Sequence, residues 1–198
     1  MAKTRRRGAA LETALLDAAW EELQAVGYAG MTMEAVANRA GTSRAVLYRR
    51  WPKRADLFIA VLVRHAPTFP SDVPDTGSLR GDVLTVLEWE SEHLARIGIE
   101  NIYGLLGDYF ADANLFSRIH GAIIQVGGGI VATILKRAAD RGEARGDVSP
   151  RVISLPTDLF RHQLFLYRAP PPRDVMVEIV DDVFLPLVRP ERRKAGDG

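Results

Sequence analysis

Residues 27–58, GYAGMTMEAVANRAGTSRAVLYRRWPKRADLF, decide the fold. Thr32 is an N-cap for a short helix carrying Val36, Ala37 and Ala40. Gly41 ends that helix, because glycine enters the left-handed conformation of a helix stop at little steric cost. Ser43 can then cap a third, shorter helix holding Val46 and Leu47. So tight a connection, with Gly at the turn, is what a helix-turn-helix requires, since the third helix must leave steeply to project from the body. Pro52 reads as the first-turn proline of a fourth helix with Leu57, Phe58, Val61 and Leu62 along one stripe, ending by Pro67.

Outward from this stretch, Leu11, Leu15, Ala18, Ala19, Leu23 and Val26 recur at three- and four-residue steps and Gly27 follows, which predicts helix one. Residues 67–77 are rich in Pro, Asp, Thr and Gly and mark a boundary. Helical periodicity resumes over 79–97, 99–109 and 114–141, the polar turn RGEARGD (141–147) follows, and apolar helices are expected over 152–167 and 175–188. The expected fold is all-α. An N-terminal three-helix helix-turn-helix domain is joined by a fourth helix to a C-terminal helical domain, with domains at 1–66 and 78–190.

Charge is unevenly spread. Residues 1–56 hold ten Lys and Arg against six Asp and Glu, while the remainder holds sixteen against nineteen. Between Arg39 and Arg54 six cations occur with no acid among them: Arg39, Arg44, Arg49, Arg50, Lys53 and Arg54. That is a footprint suited to phosphate. On the third helix Val46 and Leu47 can face the core while Ser43, Arg44, Tyr48 and Arg49 offer donors, and Arg can reach guanine O6 and N7 with two bonds. Arg50, Lys53 and Arg54 would meet the backbone, and the arm Lys3, Arg5, Arg6 and Arg7 could add backbone or minor-groove contacts. Taken singly, arginines are usually solvated and Tyr48 and Trp51 would be packing residues. The ordered set of cap, short helix, Gly turn, basic helix and Pro-Lys outweighs that reading.

On these residues the chain resembles the TetR (tetracycline-repressor-like) family: Gly-Tyr, a capping Thr, Val-Ala, Ala-Gly-x-Ser, Leu-Tyr, an aromatic, a basic residue and a Leu, over about residues 9–62. The resemblance implies that Ser43, Arg44, Ala45, Tyr48, Arg49 and Arg50 occupy recognition-helix positions and that Lys53 or Arg54 matches a phosphate-binding lysine. With Thr32 and Thr42 these form the candidate DNA-binding set. Residues 79–188 resemble TetR C-terminal domains more loosely, through the long helix ending RGEARGD and the apolar helix after Pro150. This implies dimerisation through the last long helices and a ligand cavity among the middle ones.

Polar or aromatic groups in helices that otherwise look buried are Trp89, His93, Tyr103, Tyr109, Phe110, Phe116, His120, Gln125, His162 and Tyr167. Each can be an ordinary core residue. As a set they suit a pocket with apolar walls and a few polar anchors, and Trp89, His93, Tyr103, Phe110, His120 and His162 are the ligand-binding candidates. The run Gly127-Gly128-Gly129 inside a helical pattern would serve close approach, a kink or an interruption.

The chain contains no cysteine, which excludes disulfides and thiolate chemistry. No HExxH, GxSxG, P-loop or EF-hand occurs, and His65, His93, His120 and His162 lie on different elements, so neither catalysis nor a metal or cofactor is expected. No run of about 18 apolar residues suits a membrane span, and no signal peptide is evident, so a cytoplasmic location is expected. The expected function is operator-specific DNA binding by a homodimer on a pseudopalindrome, as a repressor released by a small-molecule effector. The alternatives are a transcriptional activator, or a helical ligand-binding or protein-interaction protein without operator-specific binding.

Overall fold

The computed structural model describes residues 8–65, 73–111 and 125–190, and all regular structure among them is helical. These residues divide into two compact units: 8–65 with 97–111, and 73–96 with 125–190. The 97–111 segment therefore packs with the N-terminal helices, whereas the composition break at 67–77 places it in the C-terminal domain.

In the first unit α1 spans Ala9–Gly30, with its regular run broken at Gly27. Gly27 has φ 70° and ψ 171°, a conformation closed to a side chain, so the expected stop is there and one more turn follows it. Next come α2 (Met33–Ala40), α3 (Arg44–Tyr48), α4 (Arg54–His65) and, after α5 (Leu79–Ile97), α6 (Ile99–Ala111). Leu15, Leu23, Tyr28, Val36, Leu47, Leu57, Phe58 and Val61 close one core among them. The turn between α2 and α3 is held from the backbone. Gly41 is left-handed (φ 66°, ψ 38°), and the Thr42 N–H bonds the Ala37 carbonyl at 3.0 Å while the Gly41 N–H reaches Asn38, a double stop that fixes the exit angle of α3.

Pro52 stands outside α4, not in its first turn. Lys53 is the cap: its carbonyl accepts from the Leu57 N–H, and its own N–H is returned to Asp56 Oδ2 at 3.1 Å. This is the reciprocal half of a capping box, with Asp in place of Glu.

The second unit contains α5 (Leu79–Ile97, up to Arg96), α7 (Gln125–Asp140), α8 (Pro150–Tyr167) and α9 (Arg173–Glu178). α9 runs through a π-helical stretch, Ile179–Phe184, into α10 (Leu185–Val188). Pro186 has no N–H to return to the preceding turn, a known cause of such widening. Val83, Leu87, Val131, Ile134, Phe160, Val180, Phe184 and Val188 form its core. The polar turn 141–147 serves the fold directly, because Glu143 accepts the Leu79 N–H at 2.6 Å and so caps α5. The buried Asp82 holds the approach to that helix by accepting from the Thr76 N–H and hydroxyl at 2.6 and 2.8 Å. The glycine run lies inside α7 and does not interrupt it, and a Cβ at Gly129 would meet nothing within 4 Å among the described residues.

Candidate nucleic-acid interface

α3 has one buried and one open side. Leu47 is fully buried and Val46 packs partly against the core, while Ser43, Arg44, Ala45, Tyr48 and Arg49 are exposed, Tyr48 by 49%. Trp51 is buried, with its N–H on the Leu47 carbonyl at 2.8 Å, so it anchors the helix end. The Thr32 hydroxyl accepts the Ala35 N–H at 3.1 Å, the expected cap, and leaves the first turn of α2 beside α3. Ser43 sits at the cap position of α3 with extended backbone, yet its hydroxyl makes no capping bond. It is therefore exposed beside Arg44 rather than committed to the helix. Thr42 is half-buried.

The six cations of the 39–54 segment do not act as one field. Arg39 binds Glu22 at 2.8 Å and Glu21 at 3.5 Å, Arg44 binds Glu34 at 3.3 Å, and Arg50 binds Glu12 at 3.0 Å. Arg54 turns inward. Its guanidinium lies 4.3 Å from the Tyr28 ring centroid, donates to the Ala29 carbonyl, and pairs with Asp108 at 3.4 Å. Arg54 thus ties α4 to α1 and α6 while keeping about a third of its side chain exposed. Folding brings acids from α1, α2 and α6 to these arginines across 10 to 54 positions of sequence. Arg49 is exposed with no ion pair among the described residues, and Lys53 is exposed. The arm residues Lys3, Arg5, Arg6 and Arg7 lie outside the described residues.

The ligand-binding candidates are split between the units. Tyr103 and Phe110 are on α6 of the first unit, Phe110 being 79% exposed. Trp89 and His93 are on α5 of the second, their rings stacked at 5.0 Å and 8°. His162 is exposed on α8. His120 and Phe116 lie outside the described residues, as do the side chains of Tyr109 and Gln125. An open groove of about 510 Å³ on α5 is lined by Glu88, Ser91, Glu92, Pro170–Pro172, Arg173 and Met176 and contains none of these candidates.

Sequence reasoning passed over Glu90 and Arg161. The Glu90 side chain on α5 is only 14% exposed, and Arg161 of α8 lies 3.6 Å away while also pairing with Asp158 at 3.2 Å. Burial raises the Glu90 pKa from 4.5 to about 7; Arg161 opposes the rise and Asp158 adds to it. Nothing in WESEH (89–93) marks the first glutamate as desolvated, and the charges that act on it, Arg161 and Asp158, come from α8.

Comparison with known proteins agrees with this geometry. Residues 15–61 match the bacterial regulatory proteins of the tetR family, and residues 73–183 match the tetracyclin repressor-like C-terminal domain. The chain is 32% identical to the DNA-binding transcriptional repressor TetR of Mycobacteroides abscessus, over 94% of this chain and 98% of the relative. It is 30% identical to an uncharacterised HTH-type transcriptional regulator of Mycobacterium tuberculosis, over 88% of this chain and 86% of that one. Among solved structures, the TetR family transcription regulator SCO0332 superposes with a TM-score of 0.70 at 25% identity, covering 91% of this chain and 99% of its own. Relatives of this class are regulators, not enzymes, and no described helix is long and apolar enough to cross a membrane. With a helix-turn-helix whose third helix presents polar and basic side chains, and with both halves matched, the chain belongs to the TetR family of DNA-binding transcriptional regulators.

Proposed function

We propose that this chain is an operator-specific repressor that works as a homodimer and is released by a small-molecule effector. The observation that carries the DNA-reading half is the two-sidedness of α3, with Leu47 in the core and Ser43, Arg44, Tyr48 and Arg49 open on the other side. In this reading Arg44, Tyr48 and Arg49 meet base edges, Ala45 lets the helix approach closely, and Thr32, Thr42, Ser43 and Lys53 meet phosphates. Arg50, tied to Glu12, contributes only if that pair opens.

Two α3 helices one DNA turn apart require a twofold dimer. Exposed Leu166 and Tyr167 at the end of α8, with Val183 and Leu187 on the last helical run, supply an apolar surface for it. Repression follows the named function of the Mycobacteroides abscessus relative. Effector binding would involve Trp89, His93 and Glu90 of α5, and Arg161 of α8.

Selection of bound duplexes from a random-sequence pool, followed by titration of the recovered site across a salt series, tests the reading. Wild type is expected to recover a pseudopalindrome and bind it with steep salt dependence, and an Arg44→Ala/Tyr48→Ala variant is expected to lose about 100-fold in affinity for that site. Recovery of no preferred sequence by wild type would overturn the operator reading.

A further inference from the structure

Glu34 is the second residue of α2 and Arg44 the first of α3, so the helix-turn-helix brings a carboxylate from one helix start to a guanidinium at the other. Arg44 Nη1 lies 3.3 Å from Glu34 Oε2, and both side chains are more than 60% exposed. As a contribution to folding such a pair is nearly neutral, since exposed ion pairs contribute about 0–1 kcal/mol. Its position gives it a different consequence.

An arginine on a five-residue helix has a long flexible stem, and its strongest sequence-independent partner on a duplex is the nearest phosphate. A phosphate contact by Arg44 would raise affinity for every sequence alike. A carboxylate beside the guanidinium opposes that in two ways: it takes up a donor at Nη1, and it repels phosphate. The remaining N–H groups are left for the two-bond approach to guanine O6 and N7. The same logic recurs around the site, where Glu12 holds Arg50 and Glu22 holds Arg39, but only Glu34 pairs with an arginine of α3 itself among the described residues.

We propose that Glu34 is a specificity-determining positioning residue, which holds Arg44 in a base-reading orientation and lowers the affinity of the helix-turn-helix for non-operator DNA. The inference rests on the proposal that Arg44 reads a base. Glu34 also stands in the first turn of α2, where an acid is favoured by the helix dipole alone, so the experiment must separate an effect on selectivity from one on stability.

The full-length protein, its Glu34→Gln and Glu34→Asp variants and Arg44→Ala are each passed through selection from a random-sequence duplex pool. Each is then titrated against the recovered site and against a scrambled duplex at several salt concentrations, with thermal unfolding recorded in parallel. For Glu34→Gln, scrambled-duplex affinity is expected to rise about three- to fivefold, the ceiling for an exposed pair. The operator-to-scrambled ratio should fall by a similar factor, the recovered site should lose preference at one base pair in each half, and the salt dependence should steepen. Glu34→Asp, which keeps the charge, is expected to retain most of the wild-type ratio.

An unchanged ratio and unchanged base preference in Glu34→Gln overturn the proposal, and a lowered unfolding temperature alongside them would identify a helix-dipole role. If Arg44→Ala also leaves base preference untouched, the base-reading role of Arg44 fails with it. If Arg44→Ala relaxes one position while Glu34→Gln does not, only the positioning role fails.

Discussion

Glu90 and His93 are neighbours on α5 that respond to burial in opposite directions. Burial lifts Glu90 from 4.5 to about 7, against the pull of Arg161 and with help from Asp158, so acidification favours the folded form. Stability from this group is full below about pH 4.5, is lost as pH rises to about 7, and then levels off. His93 is pushed from 6.5 down to about 4, by burial first and by Arg96 second, and its Nδ1 is buried with no hydrogen-bond partner among the described residues. Its contribution is full above about pH 6.5 and is lost as pH falls towards 4. The two windows overlap with opposite slopes, so the pair is expected to give wild type little net pH dependence between about pH 5 and 6.5. Glu90→Gln should uncover a urea midpoint that falls on acidification. His93→Gln should uncover one that falls on going from about pH 5 to 7.5, by on the order of 2 kcal/mol. Superimposable midpoint profiles for the two variants would contradict this assignment.

At the scale of elements, α6 is fastened to α1 and α4 around Tyr28. The Tyr28 N–H donates to Asn101 Oδ1 at 2.7 Å, its hydroxyl donates to Asp108, and Asn101 Nδ2 returns to the Ile97 carbonyl at 2.6 Å. Burial, then the Asp108 hydrogen bond, pushes the Tyr28 phenol far above its ordinary range, so it remains a donor. The fit depends on Gly104, where a Cβ would lie 2.9 Å from Tyr28 Cδ1. Gly104→Ala must therefore displace a fully buried ring edged against Phe58, and a loss of about 1–3 kcal/mol is expected. Gly107, one turn on, is exposed, and a Cβ there meets nothing within 4 Å among the described residues. Gly107→Ala should instead gain about 0.5–1 kcal/mol from helix propensity. Thermal unfolding of both variants distinguishes close packing on α6 from a general preference for alanine in helices. The close approach at Gly104 is legible only once α6 is known to lie on Tyr28, because both glycines occur in the same kind of helical run.

At the scale of the whole molecule, the apolar exposure at the end of α8 and along the final helical run carries the dimer proposal. Leu166 is 61% exposed, Tyr167 70% and Leu187 45%, more than a freely solvated helix surface gains by keeping. A lysine at position 187 on each protomer would place charge where leucine is proposed to be covered. At about 2–3 kcal/mol per buried leucine, Leu187→Lys is expected to weaken the dimer by roughly 100-fold or more. Sedimentation at micromolar protein should show monomer for the variant and dimer for wild type, and operator binding should weaken with it. A Leu187→Lys variant that sediments as wild type would place the interface elsewhere.

Local signals in the sequence determined the helix-turn-helix. Thr32, Gly41 and Gly27 act through backbone geometry within a few residues of themselves, and the structure keeps each in its expected part. The alternation that buries Leu47 and exposes Arg44 and Tyr48 is equally local, since it follows from helical period. Tertiary structure alone decided how the charges pair, since Glu12, Glu22, Glu34 and Asp108 meet their arginines from other helices and turn an unbroken basic run into one exposed face with few open cations. It also decided that Arg54 packs on Tyr28, that Glu90 is largely desolvated, and that Tyr103 and Phe110 belong to a different unit from Trp89 and His93. The physical reason is range. Caps and periodicity are satisfied inside one element, whereas Coulomb pairing and desolvation depend on which element arrives from far along the chain.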